Sequence, residues 1–216
     1  MVGKIVEQVK PTSIMKKIMF STEYGLQQGA IARTKTKTRR ADKRLNHPLV
    51  TEISDWGIDD KGKCYLAITY STGLTEAVYP AYQIGEEVAV AQSYKTLIEQ
   101  GYLCRESDGW VSEECVTSPG YSNKMFVRAD LMPHRIRITD IKVERLQDIS
   151  DEDCLKEGLI AGEQEPRMFG FRLLKGTILS FLTPRAAFAA LIDKVSGKGT
   201  WERNPWVFVY EFELVK

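Results

Sequence analysis

Short apolar runs with a period of two outnumber helical stretches along this chain, and they are clearest at its end. After Asn204-Pro205, the residues Trp206, Phe208, Tyr210, Phe212 and Leu214 fall on one side of an extended segment. Val207, Val209, Glu211, Glu213 and Val215 fall on the other. Five large apolar residues on one face place this strand at the core, and the mixed opposite face predicts a barrel wall. Lys17 to Ser21 reads as a strand. Ser21, Thr22 and Glu23 then offer a start for a helix with Leu26, Ala30 and Ile31 inside. Val50 and Ile53 begin a second β region. Within it, Cys64–Tyr70 pairs with Leu74–Tyr79 across Ser71-Thr72-Gly73, after a turn at Asp59-Asp60-Lys61-Gly62. Gly85–Ala91 is a strand with Val88 and Val90 on one face, and Tyr94, Leu97 and Ile98 predict a short helix stopped by Gly101. Ile136 and Ile138 alternate in one phase and Ile141 and Val143 in the other, which predicts a bulge near Thr139-Asp140.

Two helix starts are well marked. Ser150 caps a short helix with Asp153 three residues on and Ile149 set to staple to Cys154; Gly158 ends it. Thr183-Pro184 opens a longer one, with Phe188, Leu191, Ile192 and Val195 at i, i+3, i+4 and i+7 and a stop at Gly197. Residues 159–182 resist assignment. Residues 102–123 show no period and read as a loop or lid inserted in the domain. There is no βαβ repetition, G-x-G-x-x-G or P-loop. The expected class is α+β, a small, largely antiparallel β-barrel flanked by helices. Residues 1–14 form an N-terminal extension and 15–216 a single domain with the insertion at about 102–123.

Composition changes this picture in one place. Hydrophobic residues make up 43% and charged residues 27%, as in an ordinary globular protein, with 30 Lys+Arg against 29 Asp+Glu. Residues 33–44 alone hold seven basic residues and one acidic one, so taking them away leaves 23 and 28, a net charge of −5. The near-neutral total therefore conceals a concentrated positive stretch, Arg33-Thr-Lys-Thr-Lys-Thr-Arg-Arg-Ala-Asp-Lys-Arg44. Such a stretch can collect phosphates, with Arg33, Lys37, Arg39, Arg40, Lys43 and Arg44 as nucleic-acid or anion ligands. A solvated basic loop is the plainer reading. The two histidines and four scattered cysteines have no metal-ligand spacing, so no metal and no cofactor is expected. Cys104 and Cys115 could close a loop in an oxidising setting; otherwise the cysteines read as reduced. No apolar run approaches the ~20 residues of a membrane span and no signal segment is seen, so a soluble, cytoplasmic protein is expected.

The order of motifs resembles a known family. A helix leads into Lys35-Thr-Lys-Thr-Arg-Arg40. Tyr82-Gln-Ile-Gly-Glu-Glu-Val88 follows, then Val143 to Asp153 and Glu157-Gly158, then Asn204-Pro-Trp-Val-Phe-Val-Tyr-Glu-Phe212. Together, from about Met15 to Glu213, they resemble the ASCH domain of the PUA-like fold, with residues 91–135 fitting least well. The resemblance implies a PUA-like barrel with a cleft between barrel and helices, and RNA or a modified nucleoside as partner. One bacterial branch hydrolyses 4-acetylcytidine with a lysine, a threonine and a glutamate, which Lys35, Thr38 and Glu157 match. Two positions depart from the pattern: Arg33 replaces a glycine, and Ala91-Gln92 replaces a charged pair. The chain is also about twice as long as the small hydrolases.

The residues themselves fit amide hydrolysis, which needs a nucleophile, a base and a proton donor. Thr38 would be the nucleophile and Lys35, its pKa lowered by cationic neighbours, the base. Glu157, disfavoured at a helix C-terminus, would shuttle the proton. Plainer readings stand beside these: a phosphate contact for Lys35, β-propensity for Thr38, an exposed glutamate for Glu157. Trp56, Trp110, Trp201 and Trp206 could stack on a base, although tryptophans more often fill cores. The leading expectation is binding of RNA or a modified nucleoside in a basic cleft. The alternative is an amidohydrolase, followed by a ribonuclease or a protein-interaction module.

Overall fold

The computed structural model describes residues 15–103, 113–164, 166–173 and 176–215. Its centre is a five-stranded sheet in the order β1 (Lys17–Ile18), β6 (Glu87–Val90), β7 (Arg135–Arg145), β11 (Trp206–Leu214), β2 (Lys37–Ala41). Only β1 and β6 run parallel; the other neighbours are antiparallel. The final strand lies inside the sheet, between β7 and β2, as its apolar content requires. Its opposite face is less mixed than the alternation implied, because Val207 and Val209 are as buried as Phe208 and Tyr210. Covered on both sides, it is not an exposed barrel wall.

The phase change in β7 is a real bulge. Asp140 pairs with Glu211 and Ile138 with Phe212, so Thr139 is the extra residue. The bulge lets Ile136, Ile138 and Ile141 all be buried despite their mismatched spacing.

Two three-stranded sheets complete the β structure. One is β3 (Val50–Ile58), β4 (Cys64–Tyr70) and β5 (Thr75–Val78); the other is β10 (Ile178–Phe181), β9 (Phe169–Arg172) and β8 (Ile160–Ala161). The hairpin between β4 and β5 closes with Thr69 opposite Thr75 and Gly73 at φ 83°, as the sequence predicts. The second small sheet occupies the stretch that resisted assignment, because its strands are only two to four residues long. The three sheets are not joined into one closed cylinder among the described residues. The coarse class, α+β with mostly sheet and a few helices, stands.

The helices are α1 (Leu26–Ile31), α2 (Tyr94–Glu99), α3 (Glu113–Thr117), α4 (Asp151–Lys156), α5 (Pro184–Ser196) and α6 (Thr200–Arg203). Ser150 Oγ accepts from Asp153 N at 3.1 Å, and Thr183 Oγ1 from Ala186 N at 3.1 Å, so both marked starts are capped as expected. α1 differs: it begins after Gly25, at φ 72°, with no side-chain cap from Ser21 or Thr22.

Strand β6 divides two cores. Val88 and Val90 face the main cluster, while Ala89 and Ala91 face a second one with Tyr94, Leu97, Leu103, Cys115, Val127 and Met132. The described part of the aperiodic stretch therefore packs against the sheet: Leu103 and Cys115 are core residues, and helical turns begin at Glu113, Pro119 and Lys124. Short turns have no lasting period, which is why the sequence read as loop. Cys104 and Trp110 lie outside the described residues, as does the extension 1–14.

Candidate functional site

β2 is an edge strand of the large sheet, and α1 delivers the chain to it through a sharp turn. Gly29 O accepts from both Thr34 N and Lys35 N, and Arg33 adopts φ 63°. That left-handed conformation is the usual place for glycine at a helix end. Lys35 thus lies before the regular strand, where strict alternation does not bind it. Next, Thr36 N donates to Lys156 O, tying the entry of β2 to the end of α4. Glu157 is the C-cap of α4, and Gly158 follows at φ 101°. A Cβ on Gly158 would lie 3.2 Å from Leu26 Cδ2 and 3.4 Å from Lys35 Cβ, so a small residue lets the two segments close together.

The result is a buried ion pair. Lys35 Nζ donates to Glu157 Oε2 at 2.7 Å, to Glu157 O at 2.8 Å and to Lys37 O at 2.6 Å. Its side chain is 1% exposed and that of Glu157 6%. Three acceptors use all three N–H bonds of an ammonium. Burial pushes the Lys35 pKa down, Glu157 opposes that shift, and Arg40 and Arg39 add to it.

Strand alternation then sorts the remaining residues. Lys37 and Arg39 sit on one face of β2, opposite Glu211 and Val209. Arg39, with 0% side-chain exposure, donates from Nε to Glu144 at 2.7 Å, from Nη2 to Asp153 at 2.8 Å and from Nη1 to Glu157 at 3.1 Å. Lys37 Nζ reaches Asp153 at 2.9 Å and Glu211 at 3.4 Å, and Lys142 Nζ reaches Glu144 at 2.7 Å. Burial alone would raise the Asp153 pKa. Hydrogen bonds from Lys37 and Arg39 overcome it and hold the carboxyl down at about 2.

Thr38 and Arg40 occupy the other face, opposite Tyr210 and Phe208. Thr38 is buried and makes no side-chain hydrogen bond among the described residues. Arg40 Nη2 donates to Met19 O at 2.7 Å. The Phe20 ring lies close to two cations, its centroid 5.6 Å from Lys35 Nζ and 5.8 Å from Arg40 Cζ. Along the edge of β2, a cavity of about 330 Å³ brings the parts together. Lys35, Thr38, Arg39, Arg40 and Glu157 form its polar wall; Phe188, Leu191, Ile192 and Val195 of α5 form its apolar wall. Lys35, Thr38 and Glu157 therefore meet at one cavity.

The rest of the basic stretch is not a stripe of free cations. Lys35, Lys37 and Arg39 are engaged by carboxylates inside the fold, and Arg44 pairs with Asp42 at 2.6 Å. Arg33 and Lys43 are exposed and away from the cavity wall. An approaching phosphate backbone thus meets far fewer uncompensated charges than seven. Of the tryptophans, Trp201 packs on Phe188 with centroids 6.2 Å apart and Trp206 lies under Arg145, 4.4 Å from its Cζ. Trp56 lies 6.1 Å from Phe208. None of these three lines the cavity.

Sequence reasoning missed Glu144, Asp153 and Phe20 as members of the site. Asp153 read as a capping residue, yet it stands four residues before Glu157 on one face of α4, a spacing that marks a carboxylate pair. Lys142 and Glu144 carry a period-two charge pattern that matches Lys37 and Arg39 across β11. Among the described residues no group of His, Cys, Asp and Glu is placed to hold a metal ion. Among the described residues no helix is long and apolar enough to cross a membrane. Comparison with protein-family models, curated proteins and solved structures gives no match to this chain.

Proposed function

We propose that this protein binds a modified nucleoside in the cavity between β2 and α5. One observation carries the reading: a cavity of about 330 Å³ has an apolar wall from α5 and a dense polar wall from β2 and α4. That size lies at the small end of ligand pockets, about 300–1,000 Å³. An apolar wall suits the face of a base, and convergent donors and acceptors suit its polar edge. A free nucleoside is favoured over an extended RNA strand, because most cations of residues 33–44 already have carboxylate partners. The reading accords with an ASCH-type, PUA-like protein of the cytoplasm, in which the strands would correspond to the family's barrel.

Hydrolysis of a 4-acetylcytidine-like amide is the second reading. The Thr38 hydroxyl favours it, since it has no hydrogen bond among the described residues and lines the same cavity as Lys35 and Glu157. Against it, Lys35 has the geometry of a fully engaged ammonium and must lose a proton before it can act as a base. Binding is therefore placed first.

Calorimetric titration with cytidine and 4-acetylcytidine tests the reading, with acetate release followed in parallel. Saturable binding that Thr38→Val or Leu191→Trp weakens supports the pocket. Release of acetate, abolished by Lys35→Met, would move the hydrolytic reading to first place. Absence of binding by either nucleoside would overturn both.

A further inference from the structure

Charge around the cavity is matched everywhere except at Arg40. Lys35 has Glu157, and Arg39 has Glu144, Asp153 and Glu157. Among the described residues Arg40 pairs with no carboxylate; it has one hydrogen bond, from Nη2 to Met19 O. Its Nε is buried with no hydrogen-bond partner. Arg40 as a whole is half-buried; its guanidinium carries five donors in a planar fork at the cavity wall, and only one of them has a protein partner among the described residues. The Phe20 centroid lies 5.8 Å from Arg40 Cζ and 5.6 Å from Lys35 Nζ, so the ring is close to both cations.

We infer that the cavity's ligand carries an oxyanion, received by Arg40, and that it is a nucleoside monophosphate rather than a neutral nucleoside. This rests on the nucleoside reading above and adds the phosphate to it. Thr38 and Arg40 share one face of β2, two residues apart, so they stand side by side along the cavity wall. A ligand with its base against α5 and its phosphate at Arg40 spans that wall. The guanidinium then gains the charge-assisted hydrogen bonds that protein carboxylates supply to Arg39.

The test is a set of titrations with cytidine, cytidine 5′-monophosphate and inorganic phosphate. The wild type is compared with Arg40→Gln, which removes the charge and keeps a donor for Met19 O. Hydrogen bonds to a charged group predict that the monophosphate binds the wild type about tenfold or more tighter than cytidine. The preference disappears in Arg40→Gln, the monophosphate then binding no tighter than cytidine. Equal affinities in the wild type, or a preference that survives in Arg40→Gln, overturn the inference. If Arg40→Gln does not fold, Arg40→Lys serves: a cation without the planar fork should keep only part of the preference. Inorganic phosphate separates the two readings. Phosphate binding that depends on Arg40 without nucleoside binding overturns the nucleoside and leaves an oxyanion site. No binding by any of the three overturns both.

Discussion

Lys35 Nζ lies 2.7 Å from Glu157 Oε2, and the two residues, 122 positions apart, are both almost completely removed from solvent. This pair joins the entry of β2 to the end of α4. It also forms part of the polar wall that faces α5 across the cavity.

Removing one partner of such a pair strands the other charge. Glu157→Gln is expected to lower the unfolding free energy by roughly 3–5 kcal/mol, because Lys35 then keeps only carbonyl partners. Lys35→Met should cost less, since Arg39 still neutralises Glu157 at 3.1 Å. Denaturant midpoints of the two variants and the double variant measure the coupling. Equal costs for the two single changes would mean that Arg39 does not share the charge.

The acid limb of the stability curve belongs partly to Asp153. Its folded pKa, about 2, lies below the ordinary 3.8, so the folded state binds its proton less readily than the unfolded chain does. The contribution is present above about pH 4 and is lost as the pH falls towards 2. Urea midpoints measured from pH 5 to pH 2 should fall through this window, and Asp153→Asn should flatten the fall. An unchanged profile in that variant would show that the ion pairs with Lys37 and Arg39 do not control acid stability.

Arg33 holds a left-handed backbone that most side chains resist. Arg33→Gly should therefore stabilise the protein by about 1 kcal/mol, read as a raised thermal midpoint. A lower midpoint would mean that the arginine side chain makes contacts worth more than the backbone strain.

Salt dependence distinguishes a nucleoside pocket from an RNA track. With Lys35, Lys37, Arg39 and Arg44 engaged by carboxylates, three cations at most remain from the stretch. Any binding of single-stranded RNA should then show a slope of log K against log salt no steeper than about −2. A slope near −5 would mean that the internal ion pairs open to receive phosphates.

Much of this arrangement is legible in the sequence. The phase break between Ile138 and Ile141 located a bulge because a strand with one buried face cannot tolerate a slip. Ser150 and Thr183-Pro184 located helix starts because capping is local chemistry. The family resemblance implies the convergence of Lys35, Thr38 and Glu157; on a plain strand Lys35 and Thr38, three residues apart, would face opposite sides, so a bend must intervene. Arg33 and the late start of β2 at Lys37 supply that bend. What stayed hidden was long-range. Nothing near Arg39 in sequence announces that Glu144 and Asp153 will consume its charge. Nor does the aperiodic stretch around Cys115 reveal that it packs on the second face of β6. Short strands such as Ile160–Ala161 exist only because their partners hold them, so local pattern cannot disclose them.

The most direct measurement is a crystal structure of the protein soaked with 4-acetylcytidine. Ordered ligand density is expected between β2 and α5, with the base against Leu191 and Ile192 and its polar edge within hydrogen-bond distance of Thr38 and the Lys35–Glu157 pair. Density at another surface, with this cavity empty, would contradict it.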